Sequence, residues 1–192
     1  MLAVGQPAFN SSLFENGVNI EQRNDNTDRD EWRLCRTMNT SLIIQEPNWC
    51  WVTCAKMVAE SYGYNDPNGR SIRDAVVHVF GDVIYDGGAP PDIVDACQFL
   101  TYGELAFSYN GTCSEGVLRL LLDDGNPMIL CLNHPSIGRH AVVVYGYYYD
   151  GDTCRFLVND PAPTDRLENL SHTELLDWGW DDSIAKITKY FP

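Results

Sequence analysis

The apolar pattern of this chain changes its period once, and that change decides the fold class. Before Asp124-Gly125, apolar residues recur at helical spacing; beyond it they alternate, or run together as β-branched and aromatic residues. Residues 50–62 contain neither proline nor glycine and stop at Gly63, a helix C-cap. Residues 71–80 and 92–100 also read as helices, the second entered through Pro90-Pro91, where a missing N–H costs nothing. Residues 114–122 open on Ser-Glu and set Val117, Leu118, Leu121 and Leu122 on one face. Strands follow at 127–132, 141–149 and 155–158, the last two joined as a hairpin through Asp150-Gly151-Asp152. Residues 183–190 alternate and close the sheet. Helices come first and an antiparallel sheet after, an α+β layout.

A chain of 192 residues with 44% apolar content buries a core without metal or disulfide staples. Residues 1–36 differ from the rest: NIEQRNDNTDRDEWR has neither helical nor strand period and reads as an arm or propeptide-like extension, leaving 37–192 as the domain. No apolar run reaches membrane-spanning length, and the first residues lack the basic start and apolar stretch of a secretory signal. A formal charge of −14 repels phosphate backbones and anionic headgroups, which argues against nucleic-acid and membrane partners. Seven cysteines, an odd number with irregular spacing, suit a reducing compartment better than a disulfide scaffold. The expected location is the cytoplasm, or outside the cell by a route that needs no such signal.

One of those cysteines stands apart. In Gln45-Glu-Pro-Asn-Trp-Cys50-Trp51, Pro47 and Asn48 oppose a helix and the residues after Cys50 favour one. Cys50 is therefore expected at a helix N-terminus, where unpaired amides and the helix dipole favour thiolate, the nucleophilic form. Gln45, on the preceding loop, is in reach to aim its amide at an oxyanion beside the sulfur. Gly138-Arg139-His140 opens a strand, so an imidazole at its entrance faces a cleft while the strand fixes its backbone. Asn159-Asp160-Pro161 ends the returning strand. With the turn at Gly151, His140 lies 11 residues before it and Asp160 lies 9 after, so the two ends come together. A carboxylate there would fix the imidazole tautomer and stabilise its cation. Adjacent strand residues face opposite sides, so either Asp160 or Asn159 meets His140, not both.

A glutamine loop, Cys-Trp at a helix start, Gly-x-His opening a strand and Asn-Asp-Pro ending the next: in this order, over residues 40 to 190, the chain resembles the papain-like cysteine peptidases. It looks closest to compact bacterial members, the type III effector cysteine proteases and the peptidase domains of bacteriocin-processing exporters. The resemblance implies a helical half carrying Cys50, packed on an antiparallel sheet carrying His140 and Asp160. It implies Gln45 as oxyanion donor, Cys50 as nucleophile, His140 as base and then acid, and Asp160 as the third member. Papain itself uses asparagine there, which keeps Asn159 open. The implied reaction is cleavage of a polypeptide through an acyl-enzyme, with no cofactor; acyl transfer, deamidation and non-catalytic peptide binding are the alternatives. Two departures stand out. The Cys-Gly-x-Cys-Trp form of plant and animal papains is absent, and the Gln-to-Cys spacing of five is one shorter than papain's.

Cys50 and Cys54 share a helix face, yet no further cysteine or histidine pair has ligand spacing, so Cys54 is expected in the core and no metal site is expected. His78 on a helix, His134 in a turn and His172 after Ser171 read as surface or packing histidines, with His134 the first substitute for His140. Trp49, Trp51, Trp178 and Trp180 read chiefly as packing residues, the last pair near the cleft rim.

Overall fold

The computed structural model describes residues 33–136, 138–164 and 166–188. In chain order these form β1 (Arg33–Thr37), α1 (Cys50–Ser61), α2 (Ile72–Phe80), α3 (Pro90–Leu100), β2 (Phe107–Gly111), α4 (Glu115–Asp123), β3 (Met128–His134), β4 (Gly138–Asp150), β5 (Thr153–Asn159), β6 (Asn169–Ser171), α5 (His172–Asp177) and β7 (Trp180–Lys186). The strands make one antiparallel sheet in the order β2-β7-β3-β4-β5-β6, with β1 pairing the far half of β4. No described helix is long and apolar enough to cross a membrane.

Both faces of the sheet centre are covered, which explains why β3 reads as an unbroken apolar run. Ile129, Cys131, Ala141 and Val143 face α1, α2 and α3. Their neighbours Met128, Leu130, Leu132, Val142 and Val144 face the other way, against Leu118, Leu121 and Leu122 of α4 and Leu175 of α5. Sequence-derived helix positions agree with the structure to within two residues, because caps mark them. Ser71 and Asp74 form a reciprocal capping box, Gly81 ends α2 with φ +79°, and the Ser114 hydroxyl accepts from Val117 N–H.

Three strands escape the helices-then-sheet reading. β1, β2 and β6 are short and polar in part, and they are strand because a neighbour's unpaired backbone receives them, not because they alternate. β1 also sets a limit on the arm. Residues 1–32 lie outside the described residues, but Arg33–Thr37 runs antiparallel to Tyr149–Gly146, so a boundary between 36 and 37 falls inside a strand. The final strand begins earlier than the alternating stretch 183–190 suggests, at Trp180, and residues 189 and 190 lie outside the described residues.

Gly88 is needed for packing. A Cβ on Gly88 would lie 2.5 Å from the Trp51 ring, and that ring cannot retreat: its Nε1 donates to Asp86 O and its edge meets Phe80. Gly88→Ala is expected to lower stability by about 1–3 kcal/mol through overpacking, measured by denaturant unfolding; an unchanged midpoint would mean the loop moves aside freely.

Candidate active site

The approach to Cys50 is a built turn. Trp49 N–H donates to Glu46 O at 3.1 Å, with Pro47 and Asn48 at the two central positions and Asn48 at φ +64°. Proline followed by a left-handed asparagine is the chemistry of a type II turn. Three side chains then donate to three successive carbonyls of the loop before α3: Trp49 Nε1 to Ile84 O, Asn48 Nδ2 to Tyr85 O and Trp51 Nε1 to Asp86 O. Trp49 also stacks on Tyr85 at 5.1 Å between ring centroids. The tryptophans flanking Cys50 thus hold its backbone on both sides.

Helix α1 begins at Cys50 itself. Trp49, its N-cap, makes no side-chain cap, and the first turn carries no acidic residue, so the positive end of the helix faces the half-buried thiol uncompensated. Gln45, on the loop leading into α1, is tied to the residue after Asp160, its N–H donating to Pro161 O at 3.0 Å. The Gln45 side-chain Oε1 is buried and accepts no hydrogen bond among the described residues.

His140 and Asp160 meet directly: His140 Nε2 lies 2.7 Å from Asp160 Oδ1, with the two side chains 12% and 3% exposed. Cys50 lies near enough to the imidazole to raise its pKa together with Asp160. Asp160 is held from behind by two amides, Ala162 N–H to Oδ1 and Leu167 N–H to Oδ2, each 2.9 Å. Asn159 faces elsewhere and donates from Nδ2 to Thr40 O at 2.9 Å.

Which of the two adjacent residues reaches His140 is set by a bulge that counting from the turn does not reveal. Near the hairpin tip Asp150 pairs with Thr153, but beyond an irregularity between Val144 and Gly146 the register becomes Val143 with Asn159. Without that bulge Asn159 would pair with Val144, on His140's side of the strand. The extra residue, Tyr145, slips the register by one and so brings Asp160 to that side. Tyr145 is where the ladder changes hands: its carbonyl accepts from Met38 N–H as β1 ends.

The other candidates lie apart from this constellation. His134 lies tilted against Trp178 and bonds Ser136 Oγ, His172 bonds Cys113 O, and His78 pairs with Asp95. Trp180 is buried in the core, its Nε1 bonded to Ser183 Oγ and Asp182 O. Cys54, expected in the core, is fully buried there.

Electrostatics follow from this packing. Burial pulls the His140 imidazole down, but hydrogen bonds to Asp160 and Cys50 and the charges of both outweigh it, raising its pKa to about 9. Burial pushes Asp160 up, and the bonds from His140, Leu167 and Ala162 win, leaving it below its ordinary value. Burial also pushes other thiols up, Cys54 and Cys97 well above their ordinary value, Cys131 to about 12 and the half-buried Cys113 to about 11. Since His140 is raised above an unfolded value of about 6.5, its stabilising contribution is full below that pH and is lost as pH rises through about 9. Asp160, being lowered, contributes above the ordinary carboxylate range and is lost as pH falls through its folded value. The stability difference between the parent and His140→Gln should therefore shrink from neutrality to above about pH 9. Denaturant unfolding over that range checks it; a constant difference would mean the pair carries no charge coupling.

The family model described as "Peptidase_C39 like family" matches residues 37–179. A solved structure described as a putative C39-like peptidase from Bacillus anthracis is 15% identical, with a TM-score of 0.57, covering 83% of this chain and 99% of that one. The peptidase domain of Streptococcus ComA, described as a bi-functional ABC transporter involved in a quorum-sensing pathway, is 20% identical, with a TM-score of 0.55, covering 78% and 100%. No curated protein matches significantly. The fold is thus the α+β arrangement of papain-like peptidases, a helical half with Cys50 at a helix start against an antiparallel sheet.

Proposed function

We propose that this chain, which belongs to the Peptidase_C39-like family, cleaves polypeptides through an acyl-enzyme formed on Cys50. A cysteine peptidase activity is what the family carries; the assignment of roles to residues is our reading. The observation that carries it is the arrangement around His140, whose Nε2 lies 2.7 Å from the Asp160 carboxylate and whose pKa is raised by the nearby Cys50, itself at an uncapped helix start.

In this reading His140 takes the Cys50 proton, and its raised pKa lets it hold that proton while sulfur attacks the scissile carbonyl. The developing oxyanion is met, in this reading, by backbone N–H groups of the α1 start and by the Gln45 side-chain amide. The amine leaves with the proton from His140. Water, deprotonated by the same ring, then attacks the thioester, and the carboxylate product departs as the thiol is restored. Asp160 fixes the ring and stabilises its cation.

The acyl half-reaction is shared with transferases and deamidases, so the acceptor must be tested separately. Asp160→Ala is expected to lower turnover of a peptide library by about 10²–10⁴-fold. Asn159→Ala, which loosens only the tie to Thr40, should cost much less. The reverse ranking would move the third role to Asn159. Added amines competing with water during turnover of the parent separate the alternatives: hydrolysis products dominate for a peptidase, and amide adducts dominate for a transferase.

A further inference from the structure

We propose that Cys54 is a positioning residue, its thiol strapping the helix that carries the nucleophile to the strand that carries the base. This rests on the Cys50–His140 reading above, and the experiment below separates the two.

Cys54 lies one helical turn after Cys50, on the same side of α1. Its Sγ is 3.2 Å from Ala141 O, the carbonyl of the residue immediately after His140. The thiol is fully buried. Cys54 is thus a side chain through which α1 bonds β4 beside the base. The charges near enough to act on it are those of Cys50 on its own helix, Asp160 beyond β5, Cys131 on β3 and Cys97 on α3. Burial first, and then these neighbours, push its pKa well up, so the proton stays on sulfur and the S–H remains a donor.

An S–H to carbonyl bond is weak and contributes little to stability. Its consequence is geometric. A nucleophile and base must hold their approach to within a fraction of an ångström, and a misplacement of about 1 Å costs about 10²-fold in rate. Packing seats α1 on the sheet, and this contact adds a direction to that seat beside the reacting pair. The strap fixes rotation and slide of the helix about the point where Cys50 meets His140.

The test compares Cys54→Ala, which removes the donor, with Cys54→Ser, which keeps one in nearly the same volume. Cys54→Val serves if the alanine variant fails to fold, because it fills the space without a donor. In the full chain, two quantities are read: the rate at which iodoacetamide alkylates Cys50 near neutral pH, located by mass, and the His140 ring titration by NMR. Neither needs a known substrate. The proposal expects alkylation of Cys50 to slow by about tenfold or more in the alanine or valine variant, with the His140 midpoint falling from about 9 as the Cys50 contact is lost. The serine variant should recover most of both. Unchanged rate and midpoint in a folded donor-free variant overturn the proposal, as does serine behaving like alanine. His140→Ala is the control for the underlying reading. If it leaves Cys50 alkylation unchanged, the pair itself is wrong; if it slows alkylation while the Cys54 variants do not, only the strap is wrong.

Discussion

Helix α1 is buried along nearly its whole length, and its seat on the β3–β4 pair governs everything else at the site. Because the sheet centre is covered on both faces, α1 cannot rise from it without exposing core on its own side, and β4 cannot shift without disturbing the opposite one. The start of the helix and the entrance of the strand are thereby held together. Loops then refine that coarse placement. The carbonyls of residues 84–86 hold the tryptophans on either side of Cys50, and Pro161 O holds the Gln45 backbone.

The segment Asn159-Asp160-Pro161 works in three directions. Asp160 faces His140, Asn159 ties Thr40, and Pro161 ties Gln45. One turn of chain therefore sets the imidazole and the loop carrying the glutamine relative to each other. The carboxylate is nearly inaccessible, and an isolated buried charge would be costly. Two backbone amides and the imidazole compensate it, which keeps it ionised and keeps His140 raised at the same time.

Much of this was legible in the residues. Proline and asparagine before Cys50 announced a turn into a helix, and the change of period at Asp124-Gly125 divided helices from sheet. His140 and Asp160 could be brought together because a hairpin joins the strands that carry them. What could not be read was anything set by non-local pairing. β1 forms because the far half of β4 needs a partner, and its own residues do not announce a strand. The bulge at Tyr145 follows from β1 leaving β4 at that point, so no local signal separates Asp160 from Asn159. Cys54 looked like an ordinary core thiol because its acceptor, Ala141 O, lies 87 residues away.

The central claim is that Cys50 is a nucleophile activated by His140. A peptidyl electrophile that alkylates thiol peptidases, applied to the folded full chain and followed by mass mapping, tests it most directly. The account predicts one adduct, on Cys50, formed in the parent and strongly slowed in His140→Ala. An adduct on another cysteine, or labelling of Cys50 that His140→Ala leaves unchanged, would contradict it.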